Sequence, residues 1–159
     1  STQVRSLLDR RPFSRCIIAF SFTPEEIAAA VEDKAPAIER RIDAMRKLQE
    51  RGWMLGLRFD PIIFQEGYQE QYQRLFERIF SCLEMDLLHS VSMGGFRLPE
   101  KFFKKLQGLY PKEKLFAGPL QSKKNMVSYH SQLEAEMLQT CSDLLLNYIP
   151  QEKYFPCKI

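Results

Sequence analysis

The sequence lacks the patterns that identify several common classes of protein. It contains no apolar run close to the roughly 20 residues that a helix needs to span a bilayer, so we expect no membrane contact. The Gly94-Gly95 pair lacks the third glycine of the dinucleotide-binding fingerprint, and no other glycine-rich phosphate loop is present. No Ser/His/Asp arrangement and no zinc-ligand spacing occurs. The residues by themselves therefore indicate no catalytic group, and the catalytic residues stay unknown.

Cysteine is scarce and scattered. No two of Cys16, Cys82, Cys141 and Cys157 are close enough along the chain to form a local metal-ligand pair. Cys16 falls in a predicted strand, and Cys82 and Cys141 fall in apolar helical patterns, which favours buried free thiols over disulfides or metal ligands. Because free thiols are typical of a reducing compartment, we expect a cytoplasmic protein in which this chain holds no metal.

The length and composition are typical of one globular domain. The chain has 159 residues, of which 45% are hydrophobic and 27% charged. A domain of this size buries roughly 70% of the surface of its unfolded chain. We therefore predict a single α/β domain over residues 1–159. The sequence opens at Ser1 with neither an initiator Met nor the apolar core of a signal peptide, so we expect it to be a piece of a longer protein.

Positive charge is concentrated in one segment. The whole chain carries a net charge of +3, whereas residues 97–124 carry +6 and the remainder −3. The basic residues of this segment are Arg97, Lys101, Lys104, Lys105, Lys112, Lys114, Lys123 and Lys124. Such asymmetry indicates an anionic partner, with DNA as one possibility, but a solvated lysine-rich surface explains it equally well.

Strand and helix patterns alternate along the first part of the chain. Apolar, β-rich runs predict strands at residues 16–22, 53–59 and 87–93, the second stopping at Asp60-Pro61. Helical patterns follow them, opened by Thr23-Pro24 and by Pro36 before the second strand and by Tyr68 after it. This order predicts right-handed crossovers and an open, mainly parallel sheet of about three strands with covering helices, or part of a barrel.

The last third of the chain is less regular. Pro99 opens a further helix, and residues 108–130 are predicted to form a basic loop or hairpin. Ser131 and Glu134 have the spacing of a capping box at the start of the last helix. The tail around Tyr154 is predicted only to be extended.

One face of the predicted sheet is small and polar. By period-2 alternation it collects Ser21, Arg58, Asp60, Ser90 and Ser92 near the carboxyl ends of the strands. Burying such groups without partners costs roughly 1–3 kcal/mol each, so the face requires water, a ligand or another polypeptide segment. Three structural explanations stay open: an Arg58–Asp60 ion pair, a Ser21 hydroxyl bonded to local backbone, and a packed rather than catalytic His89.

Several of these segments carry a family resemblance. The run from Arg40 to Ala44, the segment from Gly56 to Tyr68 with its Pro61-Ile62 and Glu66-Gly67-Tyr68, and the following Tyr72-x-x-Leu75-Phe76 helix resemble the spore photoproduct lyase family. This family belongs to the radical S-adenosylmethionine enzymes. The likeness runs from about Phe13 to Tyr110 and continues through residues 126–129. It implies that the chain is the C-terminal half of such an enzyme and forms part of an incomplete (β/α)6 barrel.

The resemblance also implies site residues. The family's Phe-Ser pair, whose serine approaches the cofactor, matches Phe20-Ser21, and the strand end beside the adenosyl part matches Asp60 and Pro61. The family's DNA-facing hairpin matches the segment with Lys123, Lys124 and Tyr129. Arg58 on the polar face and Arg97 at the start of the basic segment complete the predicted substrate-binding residues.

The family's three cluster cysteines, spaced C-x3-C-x2-C, have no match here. The resemblance therefore implies that S-adenosylmethionine and a [4Fe-4S] cluster act in the full-length protein, with the N-terminal half as partner, and that the isolated chain is inactive. The implied function is DNA lesion repair or a related nucleic-acid radical reaction. Two alternatives remain: a non-catalytic α/β module that binds nucleic acid through its basic segment, and a nucleotide binder at the strand ends.

Overall fold

A computed structural model describes residues 2–31, 36–111 and 114–157 of the chain. Lys112 and Glu113 of the basic segment lie outside the described residues. Within the described residues, no helix is both long and apolar enough to cross a membrane.

The central sheet has four parallel strands in the order β1-β2-β3-β7. These strands are β1 (Ile17–Ser21), β2 (Met54–Ile62), β3 (Leu88–Gly95) and β7 (Tyr154–Pro156). The prediction of an open parallel sheet with covering helices is confirmed. The tail, predicted only to be extended, adds the fourth strand beside β3.

Helices precede and connect these strands. They are α1 (Arg5–Leu8), α2 (Glu25–Val31), α3 (Ile38–Glu50), α4 (Tyr68–Phe80), α5 (Glu100–Leu109) and α6 (Ser131–Leu145). The buried residues of α3 and α4 recur at helical spacing, for example Met45 and Leu48 in α3 and Tyr72 and Phe76 in α4. They pack on the bulky side of the sheet, where Phe59 contacts Phe76 with ring centroids 4.9 Å apart. One face of the sheet is therefore covered by an apolar core.

Strand β2 continues beyond the point at which it was predicted to stop. It passes through Asp60 and Pro61, which are joined by a cis peptide bond, and pairs again where Ile62 lies opposite Gly95. Proline has no N–H to donate, so regular pairing is interrupted at Pro61. The buried Ile62 side chain, 1% exposed, anchors the strand after the interruption.

Strand β3 contains an irregularity that exposes His89. Leu55 lies opposite Leu88, but the next residue, Gly56, lies opposite Ser90, so His89 is the extra residue of a bulge. The packed position predicted for His89 is wrong, because the bulge resets the alternation on which the prediction depends. The His89 side chain is exposed.

A second, antiparallel sheet has the strand order β4-β6-β5. Its strands are β4 (Arg97–Pro99), β5 (Leu120–Lys123) and β6 (Met126–Tyr129). Lys124 and Asn125 join β5 to β6, and their φ values of 51° and 63° are those of the two-residue turn that suits the twist of a hairpin. The structure thus places a hairpin inside the segment predicted as a basic loop or hairpin.

The last helix begins one residue earlier than its predicted capping box requires. Ser131 is the first residue of α6, and His130 occupies the cap position without a side-chain hydrogen bond. The Glu134 side chain instead lies over Gly95, in space that only a residue without a Cβ leaves open.

Candidate ligand-binding face

The uncovered side of the four-stranded sheet carries the candidate site, and we call it the polar face. Strand register places four residues in one row across it: Ser21 on β1, Arg58 on β2, Ser92 on β3 and Phe155 on β7. Ser21, Arg58 and Asp60 are exposed, whereas their strand neighbours Phe20, Leu57 and Phe59 are buried. The predicted alternation of the strands, with one apolar and one polar side, is confirmed.

Toward the amino ends of the strands the polar face is filled by protein. A Cβ added at Gly56 would lie 3.3 Å from Cγ2 of Ile17 and 3.6 Å from Oγ of Ser90. Gly56 therefore lies beneath these two side chains. Parallel α/β sheets bind their ligands at the carboxyl ends of the strands, so that end of the polar face is the candidate site.

A thiol and a carboxylate lie together at that carboxyl end. The Cys157 thiol donates to Oδ2 of Asp60 at 3.6 Å, and the backbone N–H of Cys157 donates to the carbonyl of Met93 at 2.8 Å. Burial, together with the Asp60 charge and hydrogen bond, raises the pKa of the Cys157 thiol. This thiol is therefore protonated at neutral pH.

Gly94 makes this arrangement possible. A Cβ at Gly94 would lie 3.0 Å from Cβ of Cys157 and 3.1 Å from Oδ1 of Asp60. Sequence analysis assigned no role to Cys157. The sequence signal for Cys157 is period-2 alternation in the tail. If the tail is a strand, Phe155 and Cys157 lie on one side of it, and Tyr154 and Pro156 lie on the other.

The influence of Asp60 on Cys157 is testable by thiol alkylation. We expect Asp60→Asn to raise the rate of Cys157 labelling by iodoacetamide at pH 8 severalfold, because loss of the carboxylate lowers the thiol pKa and increases the thiolate fraction. Mass spectrometry of the modified peptide measures the rate, and the exposed Cys82 in the same sample is the control. An unchanged Cys157 rate would contradict the contact.

Two arginines lie near the same thiol. The charges of Arg97 and Arg58 both act to lower the pKa of Cys157, against the larger opposing effects of burial and Asp60. In the part of the chain that the structure describes, neither arginine forms an ion pair, so the Arg58–Asp60 pair considered above is not found there. The two guanidinium groups therefore remain free to bind an anion.

Ser21 is held at the end of β1 by a buried arginine that the sequence analysis did not assign to the site. Arg41 donates from Nη1 to the Ser21 carbonyl at 2.8 Å and from Nε to the Pro36 carbonyl at 2.9 Å. Its guanidinium carbon lies 5.8 Å from the centre of the Phe22 ring. Arg41 thus positions the Ser21 backbone, while the hydroxyl forms no hydrogen bond to the described part of the chain.

The hairpin carries the remaining predicted residues, and it places them differently. Lys123 and Lys124 are exposed at its end. Tyr129 is only 2% exposed, and its hydroxyl accepts a hydrogen bond from the Phe64 N–H at 2.9 Å. Burial raises the pKa of Tyr129, so its hydroxyl is neutral. Substrate binding by Tyr129 stays a prediction, since the contacts observed are those of a residue that anchors the hairpin to the core.

The cysteines and acidic residues do not suit an iron–sulfur cluster. Among the described residues, no group of three His, Cys, Asp or Glu side chains could hold a metal ion. Cys141 is buried within α6, whereas Cys16, Cys82 and Cys157 lie near the ends of three different elements, β1, α4 and β7. No reaction step through a cluster follows from these residues.

The parallel sheet, its helical cover on one side and its polar strand ends on the other define part of an α/β barrel. A comparison with models of protein families identifies the family that has this fold. A model of the spore photoproduct lyase family matches residues 1–152, and the chain belongs to that family. The resemblance stated from the sequence is therefore confirmed.

Solved structures of spore photoproduct lyase share the fold. A double mutant with bound AdoMet and dinucleoside spore photoproduct is 23% identical, with a TM-score of 0.81 over 96% of this chain and 47% of that chain. The lyase complexed with dinucleoside spore photoproduct is 22% identical, with a TM-score of 0.81 over 98% and 48%. A further mutant is 20% identical, with a TM-score of 0.84 over 98% and 48%.

This chain therefore spans about half the length of the solved relatives that it matches. A comparison with curated proteins gives no match.

Proposed function

We propose that the chain is the C-terminal half of a radical S-adenosylmethionine enzyme similar to spore photoproduct lyase, and that the whole protein acts in DNA lesion repair or a related nucleic-acid reaction. The observation that carries the proposal is the uncovered polar face of a partial barrel in a chain that belongs to this family. In such a protein the missing half would close the barrel over this face. Burial by that half would account for polar side chains that one domain leaves without partners.

The site residues divide into two groups under this proposal. Ser21, Asp60 and Pro61 contact S-adenosylmethionine at the ends of β1 and β2. Arg58, Arg97, Lys123 and Lys124 contact nucleic acid, and Tyr129 acts by holding the hairpin in place. The two guanidinium groups without ion pairs in the described residues and the exposed lysines at the hairpin end support the second assignment.

The cofactors place a requirement on the missing half. The cluster that cleaves S-adenosylmethionine and generates the substrate radical would be held there, since the residues described here do not suit it. We propose that this chain alone is inactive and that the N-terminal half docks at the free edge of β1. Among the residues that the structure describes, β1 pairs only with β2, and Ile17 on it is 43% exposed.

The proposal is tested on the full-length protein after anaerobic reconstitution. We expect a bound cluster and reductive cleavage of S-adenosylmethionine to 5′-deoxyadenosine. Ser21→Ala and Asp60→Asn should reduce the cleavage rate. Arg51→Gln, at an exposed position, is the control and should leave the rate unchanged. A bound cluster without cleavage would overturn the enzyme proposal. If such a protein still bound DNA through Lys123 and Lys124, the non-catalytic binding module would be the better description.

The hairpin provides a test in which stability and binding change in opposite directions. Lys124 has a φ of 51°, a conformation that costs a non-glycine residue about 1 kcal/mol, so Lys124→Gly is expected to stabilise the chain. The same change removes a phosphate-contacting charge, and we expect weaker DNA binding with a salt-dependence slope smaller by about 1. Fluorescence anisotropy across a salt series measures both quantities.

Lys105→Gly, on the exposed surface of α5, serves as the control. It removes one lysine charge as Lys124→Gly does, but it destabilises the chain because glycine is unfavourable inside a helix. If Lys124→Gly left both the affinity and the slope unchanged, the hairpin would not contact DNA.

A further inference from the structure

The polar face carries an aromatic ring that neither the family resemblance nor the sequence analysis assigns. Phe155 is 53% exposed on β7, and its strand register opposite Ser92 places it in the row that contains Arg58. Its neighbour Tyr154 points the other way, where its hydroxyl lies 2.6 Å from Oγ of Ser142 on α6. The Phe155 ring therefore lies on the polar face itself, not in the core.

The two arginines come from two different strands. Arg58 is on β2, two strands from Phe155, which puts their Cα atoms roughly 10 Å apart at the usual spacing of strands. Arg97 begins β4, two residues beyond the end of β3, and lies opposite Ser128 of the hairpin. The charges of both guanidinium groups act to lower the pKa of Cys157, which follows Phe155 by two residues.

The local charge favours an anion. The charges of Arg58, Arg97 and Asp60 all act on the Cys157 thiol, which donates a hydrogen bond to the Asp60 carboxylate, so two positive charges accompany one negative charge there. Arginine binds phosphate oxygens through paired N–H groups, and a base stacks on an aromatic ring with little dependence on its identity. A half-exposed ring that shares a sheet face with an arginine is thus complementary to a nucleotide.

We propose that the polar face contains a nucleotide subsite in which Phe155 stacks on a base and Arg58 and Arg97 bind the adjoining phosphate. The inference deepens the proposed function, since it rests on nucleic acid being the ligand of this face. It assigns the base contact to Phe155 and a phosphodiester contact to the two arginines. The hairpin lysines, Lys123 and Lys124, would then contact backbone phosphates of the nucleic acid outside this subsite.

The test uses probes that need no cluster, so a failure of the enzyme proposal does not decide it. Binding of the dinucleotide TpT, of thymidine and of inorganic phosphate to the 159-residue chain is followed by NMR of the Arg Nε–Hε and backbone signals. We expect Arg58→Gln and Arg97→Gln each to weaken TpT binding about tenfold. We expect Phe155→Leu to weaken it by a similar factor.

Matched variants and partial ligands separate the two contacts. Arg51→Gln removes an exposed arginine from the end of α3, and Phe102→Leu changes a ring on α5 that is 48% exposed; we expect neither to alter binding. Thymidine binding should fall only in Phe155→Leu, and phosphate binding only in the two arginine variants. Thermal melting checks that every variant is folded.

Three results would overturn the proposal. The first is an equal loss of TpT affinity in the site variants and their matched controls. The second is TpT binding that is unchanged in all three site variants. The third is displacement of TpT by S-adenosylmethionine with the same dependence on Phe155, Arg58 and Arg97, which would assign the ring and the cations to the cofactor.

Discussion

Replacing Arg41 by Met is expected to lower the free energy of unfolding by about 3 kcal/mol, because hydrogen bonds to a charged group contribute about 1.5–3 kcal/mol each. Arg41 is 8% exposed and bonds the carbonyls of Pro36 and Ser21. Methionine keeps much of the apolar stem but leaves those carbonyls without their donor. Urea denaturation of the variant and the parent chain measures the difference.

The neighbouring arginine is the matched control. Arg40 is exposed, so Arg40→Met is expected to change stability by less than about 0.5 kcal/mol. Arg41→Lys keeps the charge but loses the fork of donors that reaches two carbonyls, and we expect an intermediate loss. Equal stability of the Arg40 and Arg41 variants would show that the end of β1 is not held by this side chain.

Arg41 also bears on ligand binding through Ser21. If Arg41 positions Ser21, the full-length Arg41→Lys variant should bind S-adenosylmethionine more weakly while its cluster content stays the same. A variant that is less stable but binds the cofactor normally would limit Arg41 to a role in folding.

The second large effect is expected at Gly94. Gly94→Ala places a Cβ 3.0 Å from Cβ of Cys157 and 3.1 Å from Oδ1 of Asp60, closer than ordinary van der Waals contact. Over-packing of this kind typically costs about 1–3 kcal/mol, and we expect about 2 kcal/mol here. Because β7 must move to relieve the contact, faster hydrogen exchange of the Cys157 amide, which donates to Met93, should accompany the loss.

Gly108 gives the opposite expectation for the same substitution. It lies in α5 with no atom within 4 Å of an added Cβ, so Gly108→Ala should stabilise the chain by about 0.5 kcal/mol through helix propensity. The double variant Gly94→Ala with Cys157→Gly removes one of the two close contacts. Partial recovery of stability is expected, and additive losses would show that Cys157 does not press on Gly94.

Much of the sheet could be predicted from the sequence because its signals are local. The runs ending at Phe22, Phe59 and Met93 alternate with amphipathic helices, and period-2 spacing assigned Ser21, Arg58 and Asp60 to one side. Two local predictions failed at positions where the pairing of β2 with β3 shifts by one residue. The bulge at His89 and the continued strand at Pro61 both change the pairing register, which depends on the neighbouring strand.

The sequence by itself determined the strand and helix order, the single polar side of the sheet and the family to which the chain belongs. These follow from residue spacing within short segments, where the chain constrains its own neighbours. Only the tertiary structure decided that the tail is a fourth strand, that Cys157 meets Asp60 across 97 positions of sequence, and that Tyr129 is buried against Phe64. Such contacts join residues that are far apart in sequence and depend on how separate elements pack. The spacing of residues within a short segment cannot predict them.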